Sequence, residues 1–203
     1  MRLYLMRHGA TAGNELHRYV GRTTDEPLSE TGVSQCAKAG SFAQVGLVYA
    51  SPQLRAVQTA RLCFPAACVV EVAGLEEFDF GVFEGRSASD MVDDAAYRAW
   101  VDGGCVGRCP GGESRAEYVR RTNAALADLL KQASQRGEER VIVVAHGGTI
   151  MAALSELCDE VPSDGDRYFG WHVGCCEGYK ADVYLVGGTV RLSRPARFTR
   201  LAP

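Results

Sequence analysis

Four short segments of the chain carry side chains suited to binding and transferring an anionic group. The first is Arg7-His8-Gly9-Ala10-Thr11-Ala12-Gly13-Asn14. An imidazole is a nucleophile or proton carrier near neutral pH. The guanidinium beside it is a planar fork that matches phosphate oxygens. The small residues that follow let backbone N–H groups approach an anion. The second segment, residues 51–60, places Arg55 in the first turn of an expected helix, where the dipole already favours negative charge. The third, residues 75–85, holds Glu76, Glu77, Asp79 and Glu84, any of which could donate a proton; spacing does not choose among them. The fourth, residues 144–149, sets His146 at a strand-to-helix corner with two glycines behind it. Each segment alone has an ordinary reading: a structural histidine, a solvated arginine, solvated acids, a capping imidazole.

The surrounding pattern suggests how these groups could meet. Residues 3–7 read as a short strand and Gly9 as the turn after it. Ser29 is an N-cap for a helix through Gln35 and Lys38, and residues 46–50 form a second strand. Ser51-Pro52 suits the N-cap and first turn of a helix over residues 53–63. Residues 69–72 read as a third strand. Ser87 and Asp90 resemble a capping box opening a helix through Trp100. A long helix is expected over residues 114–135, with Val119, Leu126, Leu129 and Leu130 on one side and Gly137 as its stop. Residues 141–145 are continuously apolar, as in a strand covered on both faces, and residues 149–157 read as helix. Residues 179–186 and 189–192, joined by Gly187-Gly188, form a hairpin. The expected fold class is α/β, a three-layer sandwich whose mainly parallel central sheet has helices on both faces. Ligands gather at the carboxyl ends of such strands, where His8 and His146 both fall.

Composition narrows the partners. A net charge of −3 gives nucleic acid or an anionic membrane no overall attraction, although a local cationic pocket is compatible with it. The apolar run near the first residue is too short for a signal peptide, so a cytoplasmic location is expected. In that compartment the eight cysteines are expected to be reduced and to serve as small apolar side chains. Cys105 with Cys109, and His172 with Cys175 and Cys176, suggest a metal site, but their spacing does not match usual zinc patterns.

Taken in order, these segments resemble the histidine phosphatase superfamily, also called phosphoglycerate mutase-like. The resemblance extends over nearly the whole chain, read as one domain of residues 1–203. It rests on Arg7-His8-Gly9, Asn14, Pro27-Leu28-Ser29-Glu30-Thr31-Gly32, residues 51–60, Pro110-Gly111-Gly112-Glu113-Ser114, and His146-Gly147-Gly148. It implies that His8 attacks phosphorus, forming a phosphohistidine that water hydrolyses. It also implies that Arg7, Arg55 and His146 surround the equatorial oxygens, completed by Asn14, Val20, Gly21 and Gly147. Leu75, Glu77 and Gly81 fit the family's spacing for the general acid, so Glu77 is chosen, with Glu76 the adjacent alternative. Such an acid should have a raised pKa, since it must hold its proton when substrate is bound. No metal or other cofactor is implied.

Mutases resembling glycolytic phosphoglycerate mutase insert paired basic residues between the glutamate segment and the Glu-Ser segment. Residues 85–112 contain no adjacent pair of arginines or lysines, which favours a phosphatase acting on a small phosphorylated metabolite. The length and the Pro-Gly-Gly-Glu-Ser segment resemble α-ribazole phosphatase and broad-specificity members. Mutase-type transfer and a non-catalytic phosphate-binding module are the alternatives. Residues 86–109 and 160–178, which include Arg86, Arg108, Tyr168, Trp171 and His172, are expected to form a lid. His172 is as readily a packed or surface histidine as a substrate contact. The oligomeric state, monomer or homodimer, stays open.

Overall fold

A computed structural model describes residues 1–40, 42–163 and 165–200. The chain runs β1 (Arg2–Arg7), α1 (Ala12–Glu15), α2 (Glu30–Ala39), β2 (Leu47–Ala50), α3 (Leu54–Cys63), β3 (Cys68–Glu71), α4 (Ala95–Asp102), α5 (Arg115–Gln135), β4 (Arg140–Ala145), α6 (Gly147–Leu157), β5 (Gly178–Val186) and β6 (Thr189–Phe198). The strands form one sheet in the order β3-β2-β4-β1-β5-β6. The first four are parallel, and β5 and β6 add an antiparallel edge.

Side-chain alternation along β4 explains the three layers. Val141, Val143 and Ala145 pack with Leu126, Leu130, Ile150 and Leu154 of α5 and α6. Ile142 and Val144 point the other way, against Cys36, Ala39, Ala56 and Ala60 of α2 and α3. Both faces of the strand are therefore apolar, as its unbroken run requires. Beside these lies an aromatic cluster that includes Phe78, Phe83, Tyr97, Trp100 and Tyr118.

The cap chemistry accounts for most helix starts. Ser29 accepts from the Gly32 N–H, and Ser114 forms a reciprocal capping box with Glu117. Two expected boundaries move. Gln53 occupies the N-cap position of α3, while the Ser51 hydroxyl accepts from the Gln53 N–H and turns toward His146. Ser87 and Asp90 do exchange hydrogen bonds, yet they close only a short 3-10 turn at Ser89–Met91; α4 then restarts with Asp94 as its own cap. The hairpin strand β6 continues to Phe198 through Pro195, which an edge strand tolerates because one side of it needs no donor. Among the described residues no helix is long and apolar enough to cross a membrane.

Candidate active site

The site begins where three neighbouring parallel strands end. Arg7 is paired in register with Ala145, so the next residue of each strand, His8 and His146, leaves the sheet side by side. Ser51 leaves β2 at the same edge, its N–H bonded to the Val144 carbonyl. The two imidazole centroids lie 5.2 Å apart, edge to face. Both rings are buried, His8 at 3% exposure and His146 at 0%.

His8 has a defined tautomer. Its Nδ1 is 2.6 Å from the Gly9 carbonyl oxygen, which can only accept, so Nδ1 carries the proton and Nε2 presents a lone pair. Arg55 Nε donates to that Nε2 at 3.3 Å. Burial, then Arg55, then Arg7 hold the His8 pKa well below the ordinary imidazole value. Burial, Arg55, His8 and Arg7 depress His146 in the same way.

Arg55 is fully buried. Its guanidinium donates to the carbonyls of Thr24 and Gly21 at 2.9 and 3.1 Å, to Gln53 Oε1 at 3.1 Å, and more distantly to Val20. All are neutral acceptors, and among the described residues no carboxylate forms an ion pair with it. The Val20 and Gly21 carbonyls thus hold Arg55. Arg7 donates to the Val173 carbonyl at 2.8 Å and lies along Gly147, where an added Cβ would stand 3.6 Å from its Nε. Two side-chain nitrogens here are buried without a hydrogen-bond partner: Arg7 Nε and His146 Nδ1. His146 Nε2 is 2.8 Å from the Ser51 hydroxyl. Asn14 uses its amide oxygen to cap α1, accepting from the Thr11 N–H.

Glu77 stands at the start of α6. Its carboxylate accepts from the Tyr118 hydroxyl and the Phe78 N–H, each at 2.8 Å, and from the Gly148 N–H at 3.3 Å. A Cβ at 148 would come within 2.3 Å of Glu77 Oε1, so glycine there leaves the carboxylate its place. Glu76 points elsewhere: its carboxylate pairs with Arg121 at 3.3 Å and accepts from the Gly74 N–H. Arg121 also binds Glu113 at 2.6 Å and the Gly74, Glu76 and Glu77 carbonyls, which ties the Glu-Ser segment to the glutamate segment.

A cavity of about 190 Å³ adjoins Glu77 and Gly148. Both expected lid segments reach it, the first through Trp100 and Cys105, the second through Tyr168 and Phe169. Trp171 instead lies in the main core, its ring packed edge-on against Tyr179. Arg86 pairs with Asp94, Arg108 pairs with Glu117, and His172 is exposed. All eight cysteines are free, and among the described residues no group of three or more His, Cys, Asp or Glu side chains is arranged to hold a metal ion.

A profile of the histidine phosphatase superfamily (branch 1) matches residues 3–181. The chain belongs to that superfamily. Within it, this chain is 33% identical over 174 residues to an acid phosphatase of Mycobacterium tuberculosis (strain ATCC 25618 / H37Rv), spanning 82% of this chain and 80% of that one. It is 36% identical over 165 residues to a protein named "Probable phosphoglycerate mutase GpmB" from Enterobacter sp. (strain 638), spanning 77% and 74% of the two chains. The crystal structure of an α-ribazole phosphatase from Shigella flexneri has the same fold, with a TM-score of 0.76, 22% identity, and coverage of 100% of this chain and 99% of that one.

Three site residues escaped the sequence reading. Ser51 contacts His146, and Tyr118 contacts Glu77. Gln53 joins Arg55 to the Glu77 backbone N–H, accepting from both. Ser51 read as a helix cap, and Gln53 and Tyr118 were visible only as polar residues beside an apolar neighbour.

Proposed function

We propose that this histidine phosphatase is a phosphomonoesterase that hydrolyses a small phosphorylated metabolite through a phosphohistidine on His8. One observation carries the reading: buried Arg7 Nε and His146 Nδ1 lack partners beside an imidazole whose Nε2 holds a lone pair. Unpaired buried donors are costly, and the equatorial oxygens of a phosphoryl group would satisfy both.

In the first step His8 Nε2 attacks phosphorus, the N–P bond forms, and the bond to the leaving oxygen breaks. The depressed pKa of His8 keeps it neutral at physiological pH, the form required for attack. With the Ser51 hydroxyl donating to His146 Nε2, Nδ1 carries a proton and donates to a phosphate oxygen. Arg55 and Arg7 offset the charge of the transferring group, with Asn14 and the Gly147 backbone completing the cradle around it. Glu77 protonates the leaving alkoxide. The resulting carboxylate then takes a proton from water as that water displaces phosphate from His8. The engagement of Glu76 by Arg121 supports choosing Glu77 as the acid. Because these side chains supply the positive charge, the mechanism routes no step through a metal.

Phosphate release from a panel of phosphomonoesters, in buffer containing a chelator, tests this reading. Wild-type protein should turn over and His8→Ala should not. Activity that depends on added metal, or that survives in the variant, would overturn it.

A further inference from the structure

We propose that the alcohol portion of the substrate is a single aromatic ring, received by the cavity beside Glu77; this rests on the phosphomonoesterase reading above. The acid that protonates the leaving oxygen is itself a wall of the cavity. The group attached to that oxygen is therefore delivered into it.

Tyr19, Phe78, Phe80, Trp100, Tyr168 and Phe169 line the space. The polar tips of three lining aromatics are engaged outside it or at its rim. Tyr19 shares a hydrogen bond with Tyr97 at 2.9 Å, Trp100 donates to the Gly107 carbonyl at 3.1 Å, and Tyr118 donates to Glu77. The lining is therefore mostly ring surface, which favours another ring in edge-to-face or offset contact. Arg115 also borders the cavity, but its guanidinium is stacked 4.4 Å from the Tyr168 centroid and 4.8 Å from that of Phe169. That guanidinium also donates to the Gly104 carbonyl, so for a second anionic group or a polyhydroxylated chain, which must exchange water for protein hydrogen bonds, the wall offers few partners besides Glu77 and a cation already engaged. Size agrees: an apolar protein cavity of ~150 Å³ accepts benzene, and this one holds about 190 Å³.

The test uses two pairs that differ in the ring: phosphonates that share a methylene on phosphorus, and phosphates that share an alkyl leaving oxygen. Benzylphosphonate, which is not hydrolysed, should bind the intact protein at least ~10-fold more tightly than ethylphosphonate, as expected for burying a ring-sized apolar group. Benzyl phosphate should exceed both ethyl phosphate and 3-phosphoglycerate by at least ~10-fold in kcat/KM. Phe80→Ala and Phe169→Ala should each narrow the benzyl-to-ethyl ratio; Phe169 is 44% exposed, so its replacement leaves the fold intact. Equal affinity for the two phosphonates, or preferred turnover of 3-phosphoglycerate, would overturn the aromatic assignment while leaving the phosphatase reading standing. Tight benzylphosphonate binding without turnover of any ester would support the cavity assignment and overturn the enzymatic one.

Discussion

Arg55 Nε donates to His8 Nε2 at 3.3 Å, so the atom proposed to attack phosphorus already rests against a cation. The contact places the guanidinium where the phosphoryl oxygens must arrive, and four neutral acceptors fix it there. A lysine could keep the charge but not this fork of bonds. Arg55→Lys should therefore lower kcat at least ~100-fold, in the range seen when one transition-state donor is lost. It should also lower the melting temperature, because the Thr24 and Gly21 carbonyls lose a donor. Near-normal kcat in a folded Arg55→Lys protein would contradict this role.

Glu77→Gln should separate substrates by leaving group. An alkyl phosphate needs a proton on its departing oxygen, whereas nitrophenolate leaves without one. Turnover of the alkyl ester should fall by ~100-fold or more and that of nitrophenyl phosphate by far less. Equal losses on both would point to another acid.

Gly148→Ala should reproduce part of that pattern without touching a titratable group. The new methyl would stand 2.3 Å from Glu77 Oε1 and 2.7 Å from the Tyr118 hydroxyl, so the carboxylate must move. Alkyl ester turnover should drop more than nitrophenyl turnover, as steady-state kinetics would record. Indifference to the methyl would mean that the carboxylate position does not matter.

Ser51→Ala removes the 2.8 Å partner of His146 Nε2 and with it the preference for a proton on Nδ1. A loss in kcat of about 10-fold is expected, with Ser51→Thr restoring most of it. Unchanged kcat in Ser51→Ala would remove the hydroxyl from the mechanism.

Stability should fall in mild acid. His8 and His146 have folded-state pKa values well below the ordinary value, so between that value and their own pKa only the unfolded chain binds the protons. Their contribution is present above pH ~6.5 and is lost as pH falls from there through the folded pKa, at up to about 1.4 kcal/mol per pH unit for each ring. Denaturant midpoints at pH 7.5 and 5.5 should differ more in wild type than in a His8→Asn, His146→Asn double variant. An identical decline in both would assign the acid sensitivity elsewhere.

The sequence was most readable where chemistry and periodicity coincide. The apolar run of β4 sets both faces of one strand, and its end delivers His146 beside the end of β1 and His8. Choices between adjacent side chains were harder. Composition and position alone could not separate Glu76 from Glu77; the resemblance to the family pattern chose Glu77, and Arg121, from a distant helix, engages Glu76 instead. Ser51-Pro52 looked like a helix cap because the local signal is correct for one, yet its hydroxyl has a tertiary partner in His146. Ser87 and Asp90 likewise form their expected bonds, but the chain turns again before α4. Tyr118 is 41 residues from the carboxylate it binds, a relationship only the folded chain contains.

The most direct test of the central claim is to quench wild-type protein during turnover of a 32P-labelled phosphomonoester and map the bound label. Acid-labile, base-stable label on His8, absent from His8→Ala and accumulating faster than product release, is the predicted result. Label on any other residue, or steady turnover with no covalent label at any quench time, would contradict the account.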